Sequence, residues 1–368
     1  MNEDKLKKLK IENFKFRSGK KIPLSIAFET YGDLNNSKSN AVLICHPLTH
    51  SSHVAKHHEG DEKGWWKDMV GPGKYIDTNN HFVLCVNVPG SCYGTTGPSS
   101  IDPDTGKPYG SDFPKVTISD MVKTQRLVID NLGIDKLKSV IGGSIGGQQV
   151  LEWSKRYPSK TKSIIPIATA ARVSPMLLGF RYVSQNAIQS DPNWSGGNYY
   201  DEKKSPKLGL KFARQLGHLT YLSREGMKKK FGRKKIEKGG EVEFEVENYL
   251  KYQADKFVER FDPNSYLYLT AAMNKYDLSK GYANDKEAVK DFNGLVYLLS
   301  IDSDWHFTVE ESEYLAEVYE HTDCLVLHDT IESPHGHDAF LIETERLGKK
   351  IQLLLDYLSD GGLETFLN

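Results

Sequence analysis

A serine hydroxyl becomes a useful nucleophile when it stands clear of its own chain and a base can take its proton. Ser144 meets the first condition by its setting. An apolar, strand-like run, Lys138-Ser139-Val140-Ile141, enters Gly142-Gly143-Ser144-Ile145-Gly146, and a helix-like run, Gln148-Gln149-Val150-Leu151-Glu152-Trp153, leaves it. A strand that reverses at once into a helix strains the serine backbone. Side chains two residues before and two after the serine would collide, which accounts for Gly142 and Gly146. The helix starting behind Ser144 aims the backbone N–H of Ile145, and the positive end of its dipole, at the place where an oxyanion would form.

The pentapeptide alone is a modest signal in a chain with 31 glycines, because a tight strand–helix connection needs no chemistry. Chemistry requires an imidazole base and a carboxylate that holds its tautomer. In a doubly wound sheet both must come from the carboxyl ends of strands, and that rule prunes the 12 histidines. His337 follows the last strand-like run, in Ser333-Pro334-His335-Gly336-His337-Asp338-Ala339-Phe340, and Asp304 follows the strand-like run 295–301. The order Ser144, Asp304, His337 is that of serine hydrolases built on α/β sheets. His335 and Asp302 are the rivals. His337 is preferred because it opens a helix-like run after the glycine, and Asp304 because Asp302 lies within the strand end. A second oxyanion donor should come from the loop after an early strand. His46-Pro47-Leu48-Thr49 occupies that place, with the N–H of Leu48 the candidate and plain packing the alternative. His50, His53, His57 and His58 invite a metal reading, with His53 and His57 at i, i+4 and Glu59 near. No distant second ligand set is apparent, so no metal is expected.

These residues need elements to hold them. Residues 14–16 and 22–30, joined at Ser18-Gly19, read as an edge hairpin. Continuous apolar runs at 40–45, 81–88, 140–141, 163–168, 294–301 and 324–327 read as strands buried on both faces. Helical spacing marks 118–132, the stretch from the serine to Tyr157, and 341–358. This rhythm predicts an α/β fold with a mostly parallel central sheet and helices on both faces. It breaks between residues 174 and 293. There, helical stretches at 175–190, 208–222, 246–261 and 266–276 surround a basic run at 227–238, read as a solvated face. The expected organisation is a core of residues 1–173 and 294–368 with a helical lid inserted at 174–293.

Composition sets outer limits. The 368 residues are 38% hydrophobic and 26% charged, with a net charge of −1. This suits a globular protein and provides no field to attract nucleic acid or an anionic membrane. The 4 cysteines, Cys45, Cys85, Cys92 and Cys324, lack paired spacing and suggest reduced thiols. The segment 1–5 lacks the apolar core of a signal peptide, and no apolar run approaches membrane-spanning length. A cytoplasmic enzyme is the expectation.

The chain also resembles the homoserine O-acetyltransferases, α/β-hydrolase-fold acyltransferases of methionine biosynthesis. The likeness is carried by Thr30-Tyr31-Gly32, Cys45-His46-Pro47-Leu48-Thr49, Gly94-Thr95-Thr96-Gly97-Pro98, Gly142-Gly143-Ser144, Leu151-Glu152-Trp153, Ser303-Asp304-Trp305 and Gly336-His337-Asp338-Ala339-Phe340-Leu341. Ile145 stands where the family often has methionine, and His50 where glycine is usual. The resemblance implies an α/β-hydrolase fold with an inserted helical lid and a Ser144-Asp304-His337 triad. It implies ping-pong transfer of acetyl from acetyl-CoA, as co-substrate, to L-homoserine, with no permanently bound cofactor. It implies Arg214 as the clamp for the homoserine carboxylate, Asp338 as partner of its ammonium, and a homodimer formed through the lid helices. A carboxylesterase sharing the triad, and transfer using succinyl-CoA or serine, are the competing functions.

Overall fold

A computed structural model describes residues 5–201, 204–238 and 241–360. Its centre is an eight-stranded sheet. The strands are β1 (Lys7–Lys15), β2 (Lys21–Tyr31), β3 (Ala41–Cys45), β4 (Phe82–Val86), β5 (Ser139–Gly143), β6 (Ser163–Ile167), β7 (Leu295–Ile301) and β8 (Leu325–Ile331). They lie in the order β1-β2-β4-β3-β5-β6-β7-β8. β1 and β2 pair antiparallel, as do β2 and β4. All other neighbours are parallel. The expected sheet is therefore present, with the hairpin longer than the sequence suggested and turning at Gly19 with φ +91°.

Alternation along each strand divides the core in two. Leu43 and Cys45 of β3 join one apolar cluster, and Val42 and Ile44 join the other. The helices α1 (Ile118–Asn131) and α2 (Ile145–Arg156) cover the first face through Met121, Val128, Val150 and Trp153. Burial on both faces explains why β3 to β7 read as unbroken apolar runs. α1 begins with a capping box in which Thr117 and Asp120 satisfy each other's backbone N–H groups.

Between β6 and β7 the chain forms α3 (Pro175–Gln189), α4 (Lys207–Tyr221), α5 (Arg224–Phe231), α6 (Glu245–Val258), α7 (Pro263–Asn274) and α8 (Asp285–Val289). The basic run read as a plain solvated face takes in the last part of α5 and one strand of a small ribbon, Lys235–Lys238 paired with Glu241–Phe244. α9 (Val309–Tyr319) follows β7 and packs on the α1 face through Leu315. The helix expected over 341–358 is instead α10 (Ala339–Ile342) and α11 (Thr344–Ser359), separated at Glu343, where ψ swings to 49°. α11 covers the second face of the sheet through Ile351 and Leu355. All four cysteines are free thiols, with Cys45 and Cys85 buried. Among the described residues no helix is long and apolar enough to cross a membrane.

The tightest point of the fold is the β5–α2 turn. A Cβ on Gly146 would lie 2.2 Å from the Cys45 carbonyl oxygen, and one on Gly142 would lie 2.7 Å from the Gly146 backbone. The glycines thus let α2 start against the end of β3. Gly146→Ala should destabilise the protein by about 1–3 kcal/mol, since the contact is with backbone and cannot be relieved by a rotamer change. Gly179→Ala in α3, where nothing lies within 4 Å, should be neutral or stabilising by about 0.5–1 kcal/mol. Chemical denaturation of both variants checks this, and equal effects would contradict it.

Candidate active site

Ser144 has φ 60° and ψ −124°, a conformation a side-chain-bearing residue adopts only when its surroundings impose it. The imposing contacts are visible. Its N–H donates to the Ile167 carbonyl at 3.0 Å, and its own carbonyl accepts from the Gln148 N–H at 3.1 Å and from Thr169 Oγ1 at 2.9 Å. Ile145 opens α2, so its N–H belongs to the first turn, where helical amides lack intrahelical acceptors. The other proposed donor, Leu48, lies in the loop that leaves β3 beside the first turn of α2. That loop is fixed by His46, whose Nε2 accepts the Val88 N–H at 3.2 Å while Nδ1–H donates to the Pro47 carbonyl at 2.9 Å. Burial pushes the His46 pKa down to about 4, so this ring stays neutral in the one tautomer that both bonds require.

His337 and Asp304 meet. His337 Nδ1 lies 2.6 Å from Asp304 Oδ2, with both side chains buried. The second oxygen of Asp304 accepts the N–H groups of His306 at 2.8 Å and Phe307 at 3.2 Å, which fixes the carboxylate. Both rivals are engaged elsewhere. Asp302 accepts the Ser333 N–H at 2.9 Å and ties β7 to the loop after β8, while His335 turns toward Glu343 at 3.9 Å. The serine and histidine segments also touch. A Cβ on Gly143 would lie 2.6 Å from the Phe340 ring, and that ring is centred 5.4 Å from the ring of His337.

Arg214 reaches the neighbourhood of His337 through Tyr221, and Asp338 follows His337 in the chain. The Arg214 guanidinium lies over Tyr221 at 5.8 Å and Phe257 at 4.6 Å, and the Tyr221 ring is centred 6.3 Å from His337. Arg214 Nε is buried without a hydrogen-bond partner. Among the described residues neither Arg214 nor Asp338 forms an ion pair. Burial raises the Asp338 pKa, with His337 and Arg214 working in the opposite direction.

Other residues at the site carry no sequence signal. Arg260 donates to the Thr49 carbonyl at 2.9 Å and to the Tyr93 hydroxyl at 2.6 Å, joining the end of α6 to the β3 loop. Arg181 of α3 is buried with Nε unpartnered. His306, its ring 5.0 Å from that of His337, has both ring nitrogens unpartnered. Burial, with the charges of His337 and Arg181, holds its pKa well below the usual value. His53 and His57 do converge on a carboxylate, but it is Glu29 of β2 and not Glu59. A cavity of about 710 Å³ lined by Lys155, Gln185, Trp194, Tyr268 and Tyr276 lies elsewhere, with neither Ser144 nor His337 in its wall.

Comparison with known proteins gives the family and the fold. The family model of the alpha/beta hydrolase fold matches residues 40–344. A homoserine O-acetyltransferase from Haloferax volcanii is 48% identical over 371 aligned residues, covering 95% of this chain and 88% of the relative. The crystal structure of homoserine O-acetyltransferase from Bacillus anthracis superposes with a TM-score of 0.89 at 29% identity, covering 95% of this chain and 97% of that one. The crystal structure of esterase E22 superposes with a TM-score of 0.85 at 28% identity, covering 95% and 99%. Sharing nearly half its residues with such a relative along almost its whole length, the chain belongs to the homoserine O-acetyltransferase family of α/β-hydrolase-fold proteins.

Proposed function

We propose that the chain transfers acetyl from acetyl-CoA to the hydroxyl of L-homoserine through an acyl-enzyme on Ser144. The observation that carries the acceptor assignment is that Arg214, over the Tyr221 ring beside His337, and Asp338, next to His337 in the chain, supply a cation and a carboxyl without an ion pair among the described residues. A zwitterionic amino acid leaving water needs a cation at one end and an anion at the other.

In the first half-reaction His337 takes the Ser144 proton at Nε2, and Oγ attacks the thioester carbonyl. Asp304, bonded to Nδ1, stabilises the imidazolium. The N–H groups of Ile145 and Leu48 receive the oxyanion. Collapse breaks the C–S bond, and the thiolate leaves with the proton from His337 as CoA. In the second half the homoserine hydroxyl gives its proton to His337 and attacks the acetyl-serine. Ser144 regains its proton when O-acetyl-L-homoserine departs.

The six helices between β6 and β7 are read as the lid. Ser223 Oγ donates to the Pro334 carbonyl, and Trp305 Nε1 to the Leu222 carbonyl at 3.4 Å, so this segment rests on the loops that carry His337 and Asp304. Such cover keeps water from the acyl-enzyme, as transfer requires. Exposed Met176, Tyr182, Val183, Leu208 and Phe212 on α3 and α4 support a homodimer formed through the lid. A cytoplasmic location agrees with free thiols throughout.

The likeness to esterase E22 makes hydrolysis the second reading. Purified protein given acetyl-CoA with and without homoserine separates the two. Thiol release should depend on homoserine, while equal release without it would indicate a hydrolase. Succinyl-CoA and serine, each run in place of the preferred substrate, should be poorer. Ser144→Ala should lower turnover by on the order of 10⁴-fold or more, and near-normal turnover would remove Ser144 as nucleophile. Arg214→Ala should reduce kcat/KM for homoserine by roughly 10- to 150-fold, the loss of about 1.5–3 kcal/mol of charged hydrogen bonding. Acylation by acetyl-CoA alone should be largely unchanged, and loss of both steps together would make Arg214 structural.

A further inference from the structure

Away from the triad, three side chains from distant parts of the chain aim at one point. Glu29 comes from β2, and His53 and His57 from the loop after β3. His53 Nδ1 lies 2.9 Å and His57 Nε2 2.8 Å from the same oxygen, Glu29 Oε2. The three donor atoms fall within 4.8 Å of one another. The sequence supplied the two histidines and withheld the third ligand, which is 24 positions upstream of the first.

The surroundings hold these groups as a metal centre requires. His53 Nε2 sits 2.9 Å from the Glu62 carbonyl, the outer hydrogen bond that fixes the ring of a metal-bound histidine. The His57 ring is stacked on Tyr31 at 4.4 Å with 9° between planes. Glu29 accepts the Ser52 hydroxyl at 2.9 Å and the Tyr31 hydroxyl at 3.0 Å. Tyr31 is itself held by the Val54 N–H at 3.0 Å. The cluster opens on a small cavity of about 20 Å³ lined by Lys5, Leu6, Asp61 and Glu62 besides the three ligands. That is room for one water or ion.

We propose that Glu29, His53 and His57 form a binding site for one divalent cation of the zinc class. Two imidazoles and one carboxylate are the donor set of open zinc sites, with the cavity leaving the fourth position to water. They do not suit magnesium or calcium, which take oxygen ligands. Ligands of a tetrahedral zinc lie about 3.4 Å apart, so each must withdraw by roughly half an ångström from its hydrogen-bonding distance. Both histidines are partly exposed and can do so. The bond to Glu29 raises the His53 pKa to about 9. Burial acts to raise Glu29, but the bonds from His53 and His57 outweigh it and bring the carboxyl down to about 2.

Zinc titrated calorimetrically into chelator-treated, full-length protein should bind at one ion per chain and raise Tm, with magnesium doing neither. His57→Gln and Glu29→Gln should each weaken zinc binding at least tenfold, while His321→Ala on the exposed surface leaves it unchanged. The proposal fails if zinc behaves like magnesium, or if the His57 and Glu29 variants bind as the unsubstituted chain does. Should either variant not fold, the cobalt-substituted unsubstituted protein decides. Visible bands of cobalt bound in a low-symmetry site with nitrogen ligands support the proposal, and the spectrum of the aquo ion overturns it.

Discussion

The structure depends on the contact between the Cys45 carbonyl and Gly146, which leaves no room for a side chain. Through it the first turn of α2 lies against the end of β3, and the loop after β3 is brought beside the serine. The same closeness holds Ser144 at positive φ, clamped by Ile167, Gln148 and Thr169. The strain is local, and the sheet buried on both faces opposes its release. One steric fact thus sets the serine, the helix end behind it and the neighbouring loop together.

The Asp304–His337 pair is assembled by a separate route. β7 and β8 run parallel in register, Ile301 against Ile331, so the residues after them emerge side by side. Asp304 and His337 then need only short excursions to meet. The helical segment closes over the same place with two fastenings. One is at the histidine loop, where Gly336 at φ +61° lies against the backbone of Tyr221, Leu222 and Ser223. The other is at the β3 loop, where Arg260 holds the Thr49 carbonyl. The end of α4 and the residues after α6 are thereby tied to the loops that carry His337 and Leu48.

Much of this was legible in the residues because burial on both faces leaves continuous apolar runs, and because catalytic groups must follow strand ends. Ser144, Asp304 and His337 came from those two rules; Asp302 lies just past the end of β7 rather than within it, and bonds the Ser333 N–H, while His335 faces Glu343. What the sequence hid was tertiary. Arg181, His306 and Arg260 carry no spacing pattern, and their roles depend on which helix lies over which loop. Glu29 stands in an ordinary alternating strand and gains a meaning only when residues 53 and 57 fold onto it. The short polar helices α5 and α8 have too few turns for periodicity to register. The break at Glu343 lacks a glycine or proline to announce it.

The account rests on Ser144 carrying the acyl group between two substrates. Rapid acid quenching after mixing with acetyl-CoA alone, followed by mass spectrometry of the digested protein, addresses that directly. One acetyl group should appear on the peptide containing Ser144 and vanish when homoserine is added before the quench. An unmodified Ser144 peptide at early times, with O-acetylhomoserine still forming at the normal rate, would contradict it.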